Sequence, residues 1–407
     1  MKGYTDLNIE LTKEQMTIKE ETRRFAKEVL RPASLELDKI HDPEAMIQSP
    51  LFKDTMKKGY ELGYHTVFLP DTWGGLASDP LETHIIFEEL AWGSVDFAVG
   101  IGVSCFPAFF ASMVPSERLI DEIITPFCEN TDASIIGCWG ITEPDHGTDT
   151  LAPFTPEFKN PNIRGQATAT LDGEEWVIQG QKAAWVSNGS IATHCLLYPT
   201  IDSSMGMSGG GICIVPLNLP GVKKGKPLDK LGQRALNQGE IYFDNVRIPK
   251  EYMLVDQDSY EAMLDITLST ANAAIGTMFV GVARAAYEEA LAYTKQRVQG
   301  GKPLFEHQMI KHKLFNMFMK IEAARSLSRA AMIYNYNNTP PKIEYSIAAK
   351  VFCTDVAFEV THLAVQMFGG NGVSREYPVE KFFRDARAGL IEDGANDSLM
   401  ITAAHHL

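Results

Sequence analysis

The sequence holds no C-x-x-C pair; its six cysteines, Cys105, Cys128, Cys138, Cys195, Cys213 and Cys353, stand apart. That spacing argues against a disulfide framework or a metal clasp and for reduced thiols in a cytoplasmic or matrix-like compartment. Basic residues are outnumbered, 37 Lys and Arg against 52 Asp and Glu, for a net charge of −15. No Lys/Arg stripe offsets that balance, so no nucleic-acid partner is expected. No apolar run reaches the roughly 18 uninterrupted residues of a membrane span. The nearest, Thr270 to Val282, carries Asn272 and several small residues and reads as a buried helix. The opening MKGYTDLNIELTKEQ has no apolar core and no Arg/Ser enrichment, so no signal or transit peptide is expected. Alternating βα units and internal repeats are missing as well, which argues against a Rossmann sheet.

What is present is a chain of 407 residues, 45% hydrophobic, with room for two or three packed units. Residues 11–39 have helical spacing, with Thr12 as a cap and Phe25, Val29 and Leu30 on one side. Residues 51–64 repeat the pattern, and Leu69 to Gly75 is a breaker cluster. Residues 79–113 are apolar on every face, the mark of a helix packed on all sides, and 115–130 form one more helix. At Ala133 the character changes. Short β-rich runs follow, Ser134–Trp139, Glu175–Ile178, His194–Pro199, Gly211–Pro216 and Glu240–Phe243, with turns at Asp172-Gly173 and Asp244-Asn245. Pro153 to Arg164 reads as a loop. Helical periodicity returns over Tyr260–Gln299, His307–Tyr334 and Lys342–Phe368. Three domains are expected: 1–132 helical, 133–248 β, and 249–407 helical.

Chemistry is concentrated in a few strings. Gln366-Met367-Phe368-Gly369-Gly370-Asn371-Gly372 is a glycine turn that lets backbone approach a ligand. It leads through Glu376-Tyr377-Pro378, Lys381 and Arg384-Asp385 to the acids Glu392-Asp393 beside Gly394. Trp139-Gly140-Ile141-Thr142-Glu143-Pro144 follows a strand and continues to Gly147-Thr148-Asp149. Hydroxyls and free N–H groups there suit a flavin edge and a pyrophosphate. Gly180-Gln181-Lys182, Trp185 to Gly189, and Arg297 to Gln308 complete the set.

These strings, in this order, resemble the signatures of the acyl-CoA dehydrogenase family over nearly the whole chain. The resemblance implies a mostly α fold with a central β domain. A small β-barrel or sandwich would sit between an N-terminal helical domain and a C-terminal helical bundle. It also implies FAD, an acyl-CoA substrate, electron-transferring flavoprotein as acceptor, and a homotetramer built as a dimer of dimers. By the same resemblance Trp139, Ile141, Thr142, Trp185 and Ser187 lie along the flavin. Gly147 and Thr148 lie near phosphates or thioester. Arg297, Gln308, Gln366, Gly369 and Gly370 serve a cofactor shared with a neighbouring subunit. Gly300 stands where the family has a packing Phe. Lys230 to Arg234 and Phe243 to Pro249 match the exit from the β domain and are expected to be scaffold.

The family's catalytic glutamate precedes a glycine, and counting back from Gly394 puts Asp393 in its slot, one methylene shorter. Glu392 takes the place of a tyrosine and is the alternative base, with no base at all as a third possibility. A helix position used by some members falls on Ala271, and a CoA-side arginine is replaced by Asn272. Asp96 is a candidate second acid at the acyl pocket, or a capping residue. Ala98, Gly100 and Gly102 are expected to widen the pocket floor toward a branched or alicyclic acyl group, such as cyclohexane- or cyclohexene-carboxyl-CoA. The alternative reading is a flavin oxidase that does not use CoA, because Asp393-Gly394-Ala395-Asn396 is similar to the corresponding string of nitroalkane oxidases.

Overall fold

The computed structural model describes residues 11–76 and 79–407. The expectation that no targeting segment is present rests mainly on the first ten residues, which lie outside them. The N-terminal unit contains α1 (Lys13–Phe25), α2 (Arg31–Leu37), α3 (Pro43–Gln48), α4 (Pro50–Glu61), α5 (Pro80–Gly93), α6 (Val95–Ser104), α7 (Phe106–Met113), α8 (Glu117–Leu119) and α9 (Thr125–Cys128). The apolar stretch 79–113 is three helices and not one. Ser94 is extended and its hydroxyl accepts from the Phe97 amide, which caps α6, and Pro107 opens α7. The expected helix over 115–130 is likewise two short α segments joined by a π turn at Ile120–Ile124.

The middle unit is two four-stranded sheets, with strand orders β1-β4-β5-β8 and β2-β3-β7-β6. The first sheet holds β1 (Gly137–Gly140), β4 (His194–Leu197), β5 (Ile212–Pro216) and β8 (Met253–Val255). The second holds β2 (Thr168–Asp172), β3 (Glu175–Ser187), β6 (Val222–Lys224) and β7 (Gln238–Pro249). β1 and β4 run parallel, with Trp139 opposite Leu196. Sequence spacing missed β2, β6 and β8. Their side chains are largely exposed or too few to show an alternation.

The C-terminal unit is a bundle of α10 (Tyr260–Gln296), α11 (Gln308–Asn337), α12 (Ile343–Phe368), α13 (Val379–Gly389) and α14 (Asn396–Ala404). Glycine sets two of the helix crossings. A Cβ at Gly281 would stand 2.3 Å from the Glu88 carbonyl oxygen of α5, and one at Gly276 would stand 3.0 Å from the backbone of Ala349 on α12. Among the described residues three helical stretches, Val95–Met113, Tyr260–Gln296 and Ile343–Val373, are long and apolar enough to cross a membrane, although none is an uninterrupted apolar run. In the first two, 89% of the apolar window is already buried in the fold, so that surface is consumed by packing.

Charge joins the three units. Lys381 of α13 donates to Asp385 one turn on (2.6 Å) and to Asp96 of α6 (3.2 Å). Asp385 in turn accepts from the backbone amide of Gln233, in the segment before β7. Asp96 also accepts from Ser94, from Ser34 (3.1 Å) and from the amides of Phe97 (3.1 Å) and Ala235 (3.2 Å). Burial raises its pKa, but Lys381 and these donors more than offset that, and the carboxyl is held below its ordinary value. The expectation of a second acid at the acyl pocket is therefore overturned. Asp96 is fully buried and committed to the domain junction. A second buried cluster ties α5 to the bundle, with Glu88 accepting from Arg284 (2.6 Å) and Arg325 (2.9 Å).

Lys381→Met leaves Asp96 and Asp385 buried without their cation. Breaking such a group is expected to cost about 3–5 kcal/mol, read as a lowered midpoint of urea unfolding. Because the Asp96 pKa is depressed, its contribution is present above the ordinary carboxylate range. It is lost only as pH falls through the depressed value, so wild type and variant should converge in strong acid.

Candidate active site

A cavity of about 600 Å³ opens where the three units meet. One wall is the α6–α7 stripe Val99, Gly102, Val103 and Phe106, and another is the α10 stripe Ala271, Ala274, Ile275 and Met278. Both stripes follow i, i+3, i+4, i+7 spacing, so a single face of each helix is presented. The β domain supplies Trp139, Ile141, Thr142, Gly147, Thr148, Trp185 and Ser187. The end of α13 and the turn after it supply Arg384, Arg387, Ala388, Ile391, Glu392 and Asp393.

The acid turn is held in a conformation that few side chains adopt. Asp393 has φ 51° and Gly394 φ 107°, both left-handed. The turn is pinned from two sides. The Ala395 amide donates to Thr148 Oγ1 (3.2 Å), and Lys350 Nζ, from α12, donates to the Gly394 carbonyl (2.7 Å). Among the described residues no donor reaches the Asp393 carboxylate, whereas Glu392 Oε1 accepts from Gln233 Nε2 at 3.1 Å. Burial pushes the Asp393 carboxyl up to about 6, less than it otherwise would because Lys350 opposes it. Burial, then the Asp393 charge, push Glu392 up to about 7, against Gln233, Lys350 and Lys230. Near neutral pH the pair therefore favours one negative charge over two, with Asp393 the readier to carry it. Burial also drives the Lys230 ammonium down to about 8 at the cavity wall.

Seven of the residues expected beside a flavin line this cavity: Trp139, Ile141, Thr142, Gly147, Thr148, Trp185 and Ser187. A flat ring system fits their arrangement. A Cβ built at Gly147 would meet nothing within 4 Å, and Trp185 is 57% exposed, as a side chain that covers a ligand would be without it. The other five do not line the cavity. Arg297, Gln308, Gln366, Gly369 and Gly370 are exposed at one end of the bundle. There Tyr293 stacks on Phe368 (3.9 Å between ring centroids) and Leu304 bonds back to Arg297. Of the residues expected at the substrate, Thr148 lines the cavity and two do not. Asp96 is at the domain junction. Asn272 is fully buried and turned away, a position along the helix from the lining stripe, with its amide atoms unpartnered. Ala98 and Gly100 also face elsewhere; the Gly100 carbonyl accepts from Asn188 Nδ2 (2.8 Å). Only Gly102 opens the pocket floor as expected, and Val99 and Val103 narrow it.

Lys230, Leu231, Gly232 and Gln233 were expected to be scaffold and instead line the cavity. Nothing local in that string could have shown it, because Gln233 reaches Glu392 across 159 positions of sequence. Lys350 was missed for the same reason.

The chain matches the models of the acyl-CoA dehydrogenase N-terminal domain over residues 12–114, the middle domain over 138–246 and the C-terminal domain over 263–407. The chain belongs to the acyl-CoA dehydrogenase family. Members of the acyl-CoA dehydrogenase family are FAD-dependent oxidoreductases. It is 30% identical over 401 residues to a cyclohexane-1-carbonyl-CoA dehydrogenase of Geobacter metallireducens, covering 97% of this chain and 98% of that one. The solved structure of butyryl-CoA dehydrogenase from Megasphaera elsdenii is 28% identical with a TM-score of 0.86, covering 98% of this chain and 99% of that one. A nitroalkane oxidase crystallised with 1-nitrooctane has a TM-score of 0.87 over 98% of this chain and 96% of its own, but at 21% identity that likeness shows the acyl-CoA dehydrogenase fold alone.

If the Asp393 charge helps keep Glu392 protonated, Asp393→Asn should lower the Glu392 pKa toward the ordinary carboxylate range. Infrared difference titration of the carboxyl bands checks this. An unmoved Glu392 titration would mean that the two acids are not coupled.

Proposed function

We propose that the protein is an FAD-dependent dehydrogenase of an acyl-CoA thioester with a compact branched or alicyclic acyl group, such as cyclohexane- or cyclohexene-carboxyl-CoA. The observation that carries this reading is the Asp393 carboxylate. It is half-buried with its pKa pushed up by burial, lacks a donor among the described residues, and stands at an apolar cavity beside the residues that would face a flavin. A base for a proton α to a thioester needs a pKa brought toward neutrality by removal from water. Asp393 takes the α-proton as the electrons of that C–H bond form the α,β double bond. FAD, when bound, supplies the acceptor for the hydride that leaves the β-carbon. Glu392, whose pKa burial and the Asp393 charge raise toward neutrality, holds a proton more readily than Asp393 and so limits the negative charge beside the developing enolate. Val99, Val103, Phe106 and Met278 exclude water from the reacting carbons. Trp139, Ile141, Thr142, Trp185 and Ser187 would hold the ring system, with Gly147 and Thr148 toward phosphate or thioester.

A compact acyl group is supported by the cavity itself, because about 600 Å³ must admit the flavin ring as well. The acyl groups for which the Geobacter and Megasphaera relatives are named, cyclohexane-1-carbonyl and butyryl, are both compact. The exposed set Arg297, Gln308, Gln366, Gly369 and Gly370 suits a cofactor shared between subunits of a homotetramer, since a forked guanidinium matches a pyrophosphate. Electron-transferring flavoprotein is the acceptor in this reading. The second reading, a nitroalkane-oxidase-like enzyme, is favoured only by the aspartate in the base position and Asn272 in the arginine's. Oxygen consumption with a nitroalkane, against dye reduction with acyl-CoA thioesters, separates the two.

Asp393→Asn should slow single-turnover flavin reduction by ~10²–10⁴ while FAD stays bound. Glu392→Gln should cost far less, and a wild-type rate in Asp393→Asn would sink the assignment. Because the ionised form is the base, the wild-type rate should climb as pH rises through about 6. Arg297→Ala should purify with low flavin content but normal circular dichroism; full FAD occupancy would remove the shared-site argument.

A further inference from the structure

Lys350 is fully buried in the middle of α12, one helix behind the acid turn, and its side chain spends all its reach on that turn. Nζ donates to the Gly394 carbonyl and to Asn396 Oδ1, both at 2.7 Å. Asn396 is in turn fixed by donating through Nδ2 to Thr354 Oγ1 (3.0 Å) and Asp355 Oδ1 (3.1 Å), so both ends of the contact are anchored on α12. Behind Lys350 the helix cannot retreat, because α10 passes so close at Gly276 that a Cβ there would stand 3.1 Å from the Lys350 amide nitrogen. The residue immediately before Gly394 is Asp393, at φ 51°. A non-glycine residue persists there only where its surroundings over-determine it.

We propose that Lys350 is a positioning residue for the catalytic carboxylate: its ammonium clamps the Gly394 carbonyl and Asn396, holding Asp393 in its left-handed conformation and aimed into the cavity. The proposal rests on the reading of Asp393 as the base. Lys350 also acts through space. The carboxylates that face it are Asp393, Glu392 and Asp355, and burial, only partly opposed by them, brings its own pKa down to about 8. Its charge favours the ionised form of Asp393 and of Glu392, whose other cationic neighbour is Lys230. The clamp thus does two separable things, one geometric and one electrostatic.

Two variants separate them. Lys350→Gln keeps an amide donor for the turn and removes the charge. It should move the acid limb of the flavin-reduction profile upward by roughly one pH unit. Hydrogen exchange in the peptide spanning residues 391–396 should stay slow. Lys350→Met removes both. It should shift the limb similarly, slow reduction at its optimum by about 10²-fold through misplacement of the base, and speed exchange in that peptide. Both are compared with wild type at matched FAD occupancy. If Lys350→Met does not take up FAD, the glutamine variant alone decides. Wild-type pH limbs and wild-type exchange in a folded, flavin-loaded variant overturn the clamp. Asp393→Asn run in parallel keeps the two claims apart. If it is inactive while the Lys350 variants behave as wild type, the base stands and the clamp falls. If it is active, the base assignment falls first.

Discussion

The arrangement depends on one buried cation, Lys381, standing between Asp96 of the N-terminal unit and Asp385 of the bundle. Asp385 extends the junction to the β domain through the Gln233 amide. An ammonium and two carboxylates taken out of water are costly, and only close mutual contact with further donors offsets that cost. Docking is therefore specified by position more than by gross attraction: slide the N-terminal unit from the bundle and Asp96 loses Lys381, slide the β domain and the two carboxylates lose the Gln233 and Ala235 amides. Arg384, one turn from Lys381, adds Asp38 (2.6 Å) and the Leu231 carbonyl (2.9 Å) to the same seam. The cavity takes its walls from all three units, so its shape follows from this junction.

From the junction to the chemistry is a short path. Gln233 gives its backbone N–H to Asp385 and its side chain to Glu392. Its own φ of 48° is left-handed, a conformation kept because both ends are fixed. On the far side Lys350 and Thr148 hold the same acid turn. The two carboxylates are thus positioned from α12, from the Gly147–Thr148 loop and from the segment before β7. Removal from water gives them pKa values near neutrality, and their mutual repulsion makes one of them the ionised partner.

Much of this was legible in the amino-acid string. The order of helices, strands and helices showed in periodicity, and the family resemblance was carried by the Trp139–Asp149, Trp185–Gly189 and Gln366–Gly394 strings. These motifs are contiguous: the first two are a strand end and a turn, and the third runs from a glycine turn through α13 to the acid turn. Errors fell where the answer was not local. Asp96 sits on an apolar helix, and whether it faces a pocket or a lysine is settled by a residue 285 positions away. Asn272 lies one residue from a cavity-lining stripe, and which face of α10 looks inward is set by packing at Gly276 and Gly281.

By itself the sequence determined the family, the fold class and the pair of acids before Gly394, and it marked seven of the residues that line the cavity. Short-range spacing encodes helix, strand and turn, and the motifs are contiguous. Only the tertiary structure decided which acid stands free and which is hydrogen-bonded, and that Asp96 belongs to the domain junction. It also brought Gln233 and Lys350 to the acid turn. Those properties depend on burial and on distances between residues remote in the chain. A carboxyl's pKa and its partners exist only once water has been excluded and the three units have closed on one another.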